Sequence, residues 1–155
     1  MPNAIDVLDE LGRRQLTLAV AESLTGGNVA AELTAIPGAS TVFCGGVIAY
    51  SSAVKTDVLG VPEADVREFG QVSAAVAEAL AIGVRDALDA DIGVATTGVA
   101  GPSPLEGVPV GTVVVAASDG STTLVREVTC TGNRAAITAA AVSEALRILS
   151  DLLHA

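Results

Sequence analysis

Short apolar runs that suit β-strands alternate with segments of helical periodicity along this chain of 155 residues. The strand-like runs occupy residues 16–21, 47–50, 92–97, 110–117 and 122–129. Helical segments separate the first three runs from one another, a glycine-bearing loop over residues 98–108 precedes the fourth, and a turn over residues 118–121 joins the last two. Strands separated by helices, with one hairpin near the end, predict an α/β fold: a three-layer α/β/α domain around a mixed sheet. We expect residues 1–155 to form a single domain, because neither a linker nor a repeat interrupts the pattern.

The helical segments complete this outline. They are predicted over residues 4–14, 28–35, 51–59, 62–69, 73–88 and 133–152. Ser73 and Asn133 stand at the start of the two longest, where their side chains can cap a helix. Both of these helices are rich in alanine, which favours tight packing against a symmetry-related copy, so we expect a homo-oligomer.

The charge of the chain limits its partners. Eighteen acidic residues against eight basic ones give a net charge of −10, which repels polyanions and anionic bilayers. Two Phe, one Tyr and no Trp leave few rings on which bases could stack. We therefore expect neither nucleic acid nor membrane as a partner, and any phosphate that the protein binds must be small and held locally.

The residue inventory also excludes several kinds of site. The only histidine, His154, lies beside the last residue, so a histidine triad and a histidine metal site are both excluded, and no metal or other cofactor is expected. Cys44 and Cys130 follow no metal-site spacing and are interpreted as reduced, buried thiols. The first residues lack the pattern of a signal peptide, and no apolar run approaches the roughly 20 residues of a membrane span. A cytoplasmic protein is therefore expected.

Two predicted strands run into loops rich in Ser, Thr and Gly, at residues 22–27 and 96–101. Glycines there let backbone N–H groups approach an anion, and the helix that follows Gly27 adds its positive end. The same glycines are equally typical of tight strand-to-helix turns, and both interpretations stay open at this point. Neither loop matches the dinucleotide-binding or P-loop pattern.

A single lysine, Lys55, stands five residues after the single tyrosine, Tyr50. Lysine can lose its proton when it is buried, whereas arginine cannot, so a lone lysine among seven arginines suggests a general base. The alternative is a solvated helix residue. The two side chains would lie about 140° apart on a continuous helix, so they converge only if Tyr50 ends a strand and Lys55 lies one turn into the next helix.

Four segments carry motifs that resemble those of one family. They are Ala-Glu-Ser-Leu-Thr-Gly-Gly at 21–27, Gly-Gly-Val-Ile-Ala-Tyr-Ser at 45–51 with Lys55, Thr-Gly-Val-Ala-Gly-Pro at 97–102, and Pro-Val-Gly-Thr at 109–112. In content and order they resemble the CinA C-terminal domain family, the nicotinamide-nucleotide amidases. The resemblance implies hydrolysis of nicotinamide mononucleotide to nicotinate mononucleotide and ammonia, in pyridine nucleotide recycling. It further suggests the stand-alone form, without the amino-terminal domain of longer CinA proteins.

The resemblance also implies roles for individual residues. Ser23 would be the nucleophile, with Tyr50 and Lys55 as its catalytic partners. The substrate-binding residues would be Thr25, Gly26, Gly27, Gly45, Gly46, Thr97, Gly98, Gly101 and Arg134, the last as a phosphate clamp. The chain departs from the family at Leu24, where cysteine is common, and at 103–108, where a glycine-rich segment with a lysine is common.

These roles combine into a mechanistic hypothesis. Neutral Lys55 would take the Ser23 proton directly or through Tyr50, and N–H groups near Gly26, Gly27 or Gly98 would hold the oxyanion. One rival is an SxxK pair, in which Ser52 replaces Ser23 as nucleophile. Another is a non-catalytic module that binds a pyridine nucleotide without breaking a bond.

Overall fold

The computed structural model describes all 155 residues, which form five strands and six helices. The strands are β1 (Leu18–Glu22), β2 (Phe43–Ile48), β3 (Ile92–Gly98), β4 (Thr112–Ser118) and β5 (Thr123–Thr129). The helices are α1 (Ala4–Arg14), α2 (Asn28–Thr34), α3 (Ser52–Asp57), α4 (Glu63–Phe69), α5 (Ala74–Ala87) and α6 (Arg134–Leu153). No helix is both long enough and apolar enough to cross a membrane.

The five strands form one mixed sheet in the order β2-β1-β3-β4-β5. Strands β2, β1 and β3 are parallel, whereas β4 and β5 are antiparallel neighbours joined as a hairpin. Glu22 at the end of β1 pairs with Thr96 of β3 and with Ile48 of β2. The carboxyl ends of the three parallel strands therefore meet at one edge of the sheet, which brings the loops that follow them together. This confirms the predicted α/β class and mixed sheet.

The predicted starts of three strands, β1, β2 and β4, were wrong by two or more residues. Strand β2 begins at Phe43, so Gly45 and Gly46 lie inside the strand and do not precede it. Cys44 of the same edge strand is exposed, so the interpretation of this thiol as buried was wrong. A Cβ on Gly46 would lie 2.6 Å from Val20 Cγ2, so glycine there permits the close pairing with β1. Strand β4 begins at Thr112, after Gly111, whose φ of 95° breaks the extended backbone.

Alternate side chains of the central strands pack into two separate hydrophobic cores, one on each face of the sheet. Leu18 and Val20 of β1 join a cluster shared with α1, α2 and α6 on one face. Ala19 and Ala21 point to the other face and join a cluster shared with α5. Helices on both faces of one sheet complete the predicted three layers.

The face covered by α5 is lined by very small side chains, which let this helix lie close to the sheet. A Cβ built on Gly93 of β3 would lie 2.0 Å from the carbonyl oxygen of Ala81 in α5. A real Cβ cannot sit at that distance, so helix and strand would have to separate. Glycine at position 93 therefore sets the position of α5 on the sheet.

We expect Gly93→Ala to lower the free energy of unfolding by about 3 kcal/mol, at the upper end of overpacking effects, because the obstacle is backbone. Gly12→Ala is the matched control, since Gly12 lies in α1 and a Cβ there would be 4.0 Å from its nearest neighbour. It should raise stability by about 0.5–1 kcal/mol. Denaturant unfolding of both variants measures the two changes, and a neutral Gly93→Ala would contradict the close packing.

Candidate active site

A cavity of about 510 Å³ opens at the edge of the sheet where the parallel strands end. Its lining comes from the loops after β1, β2 and β3, from the connection between α4 and α5, and from the start of α6. Ser23, Ser52 and Thr97 supply hydroxyl groups, and Arg134 is the only charged residue of the lining. The volume lies within the usual range of small-molecule sites.

Ser23 follows the last residue of β1 and is 8% exposed. Its backbone N–H donates to the carbonyl oxygen of Thr96 at 3.1 Å, which ties it to β3. Its hydroxyl forms no hydrogen bond within the chain and remains available to a ligand in the cavity.

The carboxylate of Glu22 organises the loop beside Ser23. It is 2% exposed and accepts hydrogen bonds from the Thr25 hydroxyl (2.6 Å) and from the N–H groups of Val29 (2.8 Å) and Ala30 (3.0 Å). The first turn of α2 is thus occupied by an internal anion. Of the two interpretations of this loop, an anion site is therefore not supported at the N–H groups of Val29 and Ala30, which already donate to Glu22.

The oxyanion prediction also needs correction at Gly26, because its N–H donates to the carbonyl oxygen of Ser23 at 3.1 Å. By contrast, the N–H groups of Leu24, Thr25 and Gly27 have no acceptor within the chain. These three donors remain free in the loop that carries Ser23. Leu24 also lines the cavity, so its N–H is a candidate that the sequence-based prediction did not include.

Lys55 lies one turn into α3, whose N-cap Ser51 accepts a hydrogen bond from the N–H of Val54. Only 1% of Lys55 is exposed. Its Nζ donates to the carbonyl oxygen of Tyr50 at 3.4 Å and to Gln71 Oε1 at 3.3 Å. Burial lowers the pKa of Lys55 from 10.5 to about 8, and the negative charge of Glu106 opposes part of this fall.

The two acceptors around Nζ suit a neutral amine. A neutral lysine has two N–H groups and one lone pair, whereas an ammonium has three N–H groups. Tyr50 and Gln71 supply two oxygen acceptors, so an ammonium would keep one donor without a partner in the chain. The setting therefore stabilises the base form of Lys55 relative to a lysine in water.

Tyr50 and Arg134 meet across the cavity. Arg134 donates to the Tyr50 hydroxyl at 2.7 Å and to the carbonyl oxygen of Gly101. Tyr50 contacts Lys55 through its backbone carbonyl, and no hydrogen bond joins its hydroxyl to Nζ. The expected relay through the Tyr50 hydroxyl is thus absent from this arrangement, in which the hydroxyl is paired with Arg134.

The structure brings most of the predicted site residues to one place. Those lining the cavity are Ser23, Tyr50, Thr97, Gly98, Gly101 and Arg134. Lys55 lies behind the lining and contacts it through Tyr50 and Gln71. No hydrogen bond connects Lys55 Nζ to the hydroxyl of Ser23 or of Ser52.

Five predicted binding residues lie outside the lining. Thr25, Gly26 and Gly27 lie at the start of α2, where the Thr25 hydroxyl bonds to Glu22 and to Thr96. Gly45 and Gly46 lie in the edge strand β2, where Gly46 permits close strand pairing. Their assignment as direct substrate contacts was based on motif position alone, and the geometry gives Thr25 and Gly46 structural roles.

Sequence reasoning missed Gln71 and Glu106. Gln71 lies just before α5, accepts from the Thr97 hydroxyl through its carbonyl oxygen (2.8 Å), and lines the cavity. Glu106 lies in the loop over residues 103–108 and accepts two hydrogen bonds from Gln71. The departure of this loop from the family pattern was the one available signal for Glu106, and nothing in the sequence marks Gln71.

A profile of the CinA C-terminal domain family matches residues 2–153. The chain belongs to the CinA C-terminal domain family. It is 46% identical to a CinA-like protein of Frankia casuarinae over 147 residues, 95% of this chain. It is 48% identical to a putative competence-damage inducible protein of Desulforamulus reducens over 139 residues, 90% of this chain. In both comparisons the match spans only 34% of the relative, so the chain corresponds to about a third of these longer CinA proteins.

Solved structures of CinA proteins share the fold. The competence damage-inducible protein A of Klebsiella pneumoniae superimposes with a TM-score of 0.91 at 33% identity, over 98% of each chain. The competence/damage inducible protein CihA of Agrobacterium tumefaciens gives a TM-score of 0.91 at 35% identity, over 96% of this chain and 92% of its own. The five-stranded mixed sheet with helices on both faces is therefore the CinA fold.

We expect Glu22→Ala to lower the free energy of unfolding by about 2–4 kcal/mol, since it leaves the Thr25 hydroxyl and two N–H groups of α2 without their buried acceptor. Glu32→Ala is the control, because it removes an exposed acid from the same helix and should change stability by less than about 0.5 kcal/mol. Equal effects of the two substitutions in denaturant unfolding would contradict the organising role of Glu22.

Proposed function

We propose that this CinA-family chain hydrolyses the carboxamide of nicotinamide mononucleotide to nicotinate mononucleotide and ammonia, as a step in cytoplasmic pyridine nucleotide recycling. One observation carries the proposal: the chain's only lysine is buried beside the cavity that Ser23 lines, with its pKa lowered to about 8. An amine in that state can accept a proton near neutral pH. We choose nicotinamide mononucleotide as the substrate because the chain belongs to a family that includes nicotinamide-nucleotide amidases.

In the proposed reaction, neutral Lys55 removes the proton of Ser23 as its Oγ attacks the carboxamide carbon. The N–H of Leu24, which has no acceptor within the chain and belongs to the cavity lining, is available to stabilise the tetrahedral oxyanion. Protonated Lys55 then passes its proton to the departing ammonia. Water hydrolyses the acyl-enzyme, releases nicotinate mononucleotide and restores Ser23. The chain's own residues supply every group in this scheme.

The nucleotide phosphate would bind at Arg134, the only charged residue of the cavity lining. A guanidinium binds phosphate through paired N–H groups, and its charge does not depend on pH in the working range. Its hydrogen bonds to Tyr50 and Gly101 hold it in the cavity lining. Outside this cavity, the net charge of −10 disfavours larger anions.

Ser23→Ala should abolish ammonia release from nicotinamide mononucleotide, with at least a roughly 1,000-fold loss of kcat, because it removes the nucleophile. Ser52→Ala is the matched control: it removes another cavity hydroxyl and should retain activity within a few-fold. A coupled ammonia assay on both purified variants measures this.

The reverse result, a dead Ser52→Ala and an active Ser23→Ala, would make Ser52 the nucleophile of an SxxK pair. If the unmodified protein binds nicotinamide mononucleotide but releases no ammonia, the amidase proposal fails and a binding module remains.

The pH dependence follows from the lowered pKa of Lys55. The base acts when deprotonated, so kcat/KM should rise about tenfold per pH unit below about 8 and level off above it. At pH 7 roughly a tenth of the molecules would hold neutral lysine. Lys55→Arg keeps the positive charge but cannot lose its proton, and should be inactive across the range. A flat profile between pH 6 and 9, or an active Lys55→Arg, would exclude Lys55 as the base.

A further inference from the structure

The loop over residues 103–108 reaches the base through one carboxylate. Glu106 Oε2 accepts a hydrogen bond from the backbone N–H of Gln71 at 3.0 Å, and Oε1 accepts from Gln71 Nε2, also at 3.0 Å. These two hydrogen bonds lower the pKa of Glu106, so the group is a carboxylate at neutral pH. Glu106 itself is exposed and lies outside the cavity lining, so it is placed to act through Gln71.

This carboxylate determines which end of the Gln71 side chain faces Lys55. A carboxylate only accepts hydrogen bonds, whereas a carboxamide has a donor end and an acceptor end. Glu106 therefore holds Nε2, and Oε1 turns toward Lys55 Nζ at 3.3 Å. The chain of contacts runs Glu106 to Gln71 to Lys55.

The orientation of Gln71 matters for proton transfer. With Oε1 toward Lys55, the two N–H groups of the neutral amine point at Tyr50 and Gln71, and the lone pair remains free to accept a proton. If the carboxamide were reversed, Nε2 would face the amine and donate to that lone pair. The same lone pair would then be unavailable to the Ser23 hydroxyl.

We propose that Glu106 is a positioning residue for the base: by holding the Gln71 carboxamide in one orientation, it keeps the lone pair of Lys55 free to take the nucleophile's proton. This inference rests on the proposed function for its catalytic meaning. Ser103 and Leu105 of the same loop line the cavity. The loop thus lines the cavity and is linked to the base through Gln71.

Glu106 can affect Lys55 by orienting the Gln71 carboxamide or through its own negative charge. A double-mutant cycle with Gln71→Met separates these two effects, because methionine has no carboxamide to reverse. Glu106→Ala should lower kcat roughly tenfold or more, even at pH 9 where Lys55 is neutral, and change KM little. In the Gln71→Met background it should cost no further activity. Equal losses in both backgrounds would overturn the proposal, as would a loss that disappears at pH 9. Glu68→Ala, which removes an exposed acid three residues before Gln71, controls for net charge.

A second measurement needs no substrate. Because Lys55 is the only lysine, protein labelled with isotopic lysine gives one side-chain signal, whose NMR titration reports the pKa of Lys55 alone. Glu106→Ala should lower this pKa, through loss of charge and through reversal of Gln71. The fall should be smaller in the Gln71→Met background, where only the charge is lost. An unchanged pKa, or equal falls in both backgrounds, would overturn the positioning role.

The titration also distinguishes two kinds of failure. If the unmodified protein releases no ammonia, the proposed function fails, while the titration still decides whether Glu106 controls the proton of Lys55 through Gln71. If the unmodified protein releases ammonia and Glu106→Ala lowers kcat equally with and without Gln71→Met, the proposed function stands and the positioning role is excluded.

Discussion

The cost of burying one amine is the constraint on which the candidate site depends. Lys55 loses almost all contact with water and gains two uncharged oxygen acceptors, from Tyr50 and Gln71. Neither acceptor compensates a full positive charge, so the ammonium form is destabilised and the neutral form becomes accessible near neutral pH. Arg134 shows the opposite arrangement, since it is exposed and stays charged at the cavity. In the proposed reaction, proton transfer and anion binding are thus assigned to two different side chains.

Two carboxylates organise the loops on either side of this amine. Glu22 accepts hydrogen bonds from the start of α2, and Glu106 accepts two from Gln71. In both loops a carboxylate, and not water, accepts hydrogen bonds from backbone N–H groups. Because these anions are already satisfied within the chain, they can lie near the site without pairing directly with Lys55 or Arg134.

Packing far from the cavity also decides where Gln71 lies. Helix α5 approaches the sheet closely at Gly93, and Gln71 stands three residues before this helix begins. The Thr97 hydroxyl at the end of β3 then bonds to the Gln71 carbonyl. Gly93 sets the position of α5, and Gln71, which accepts a hydrogen bond from Lys55, lies just before this helix. Packing on this face of the sheet therefore influences where Gln71 lies.

Local patterns in the sequence determined the α/β class, the mixed sheet, the serine at the end of β1 and the unusual lysine, because periodicity and strand ends depend on neighbouring residues. They did not reveal that Glu22 occupies the start of α2, that the Tyr50 hydroxyl pairs with Arg134, or that Gly46 serves strand pairing. Only the tertiary structure brought together Lys55, Gln71 and Glu106, which lie 16 and 35 residues apart in sequence. Such contacts arise when separate loops fold back over one edge of the sheet, and the lowered pKa of the lysine follows from that burial.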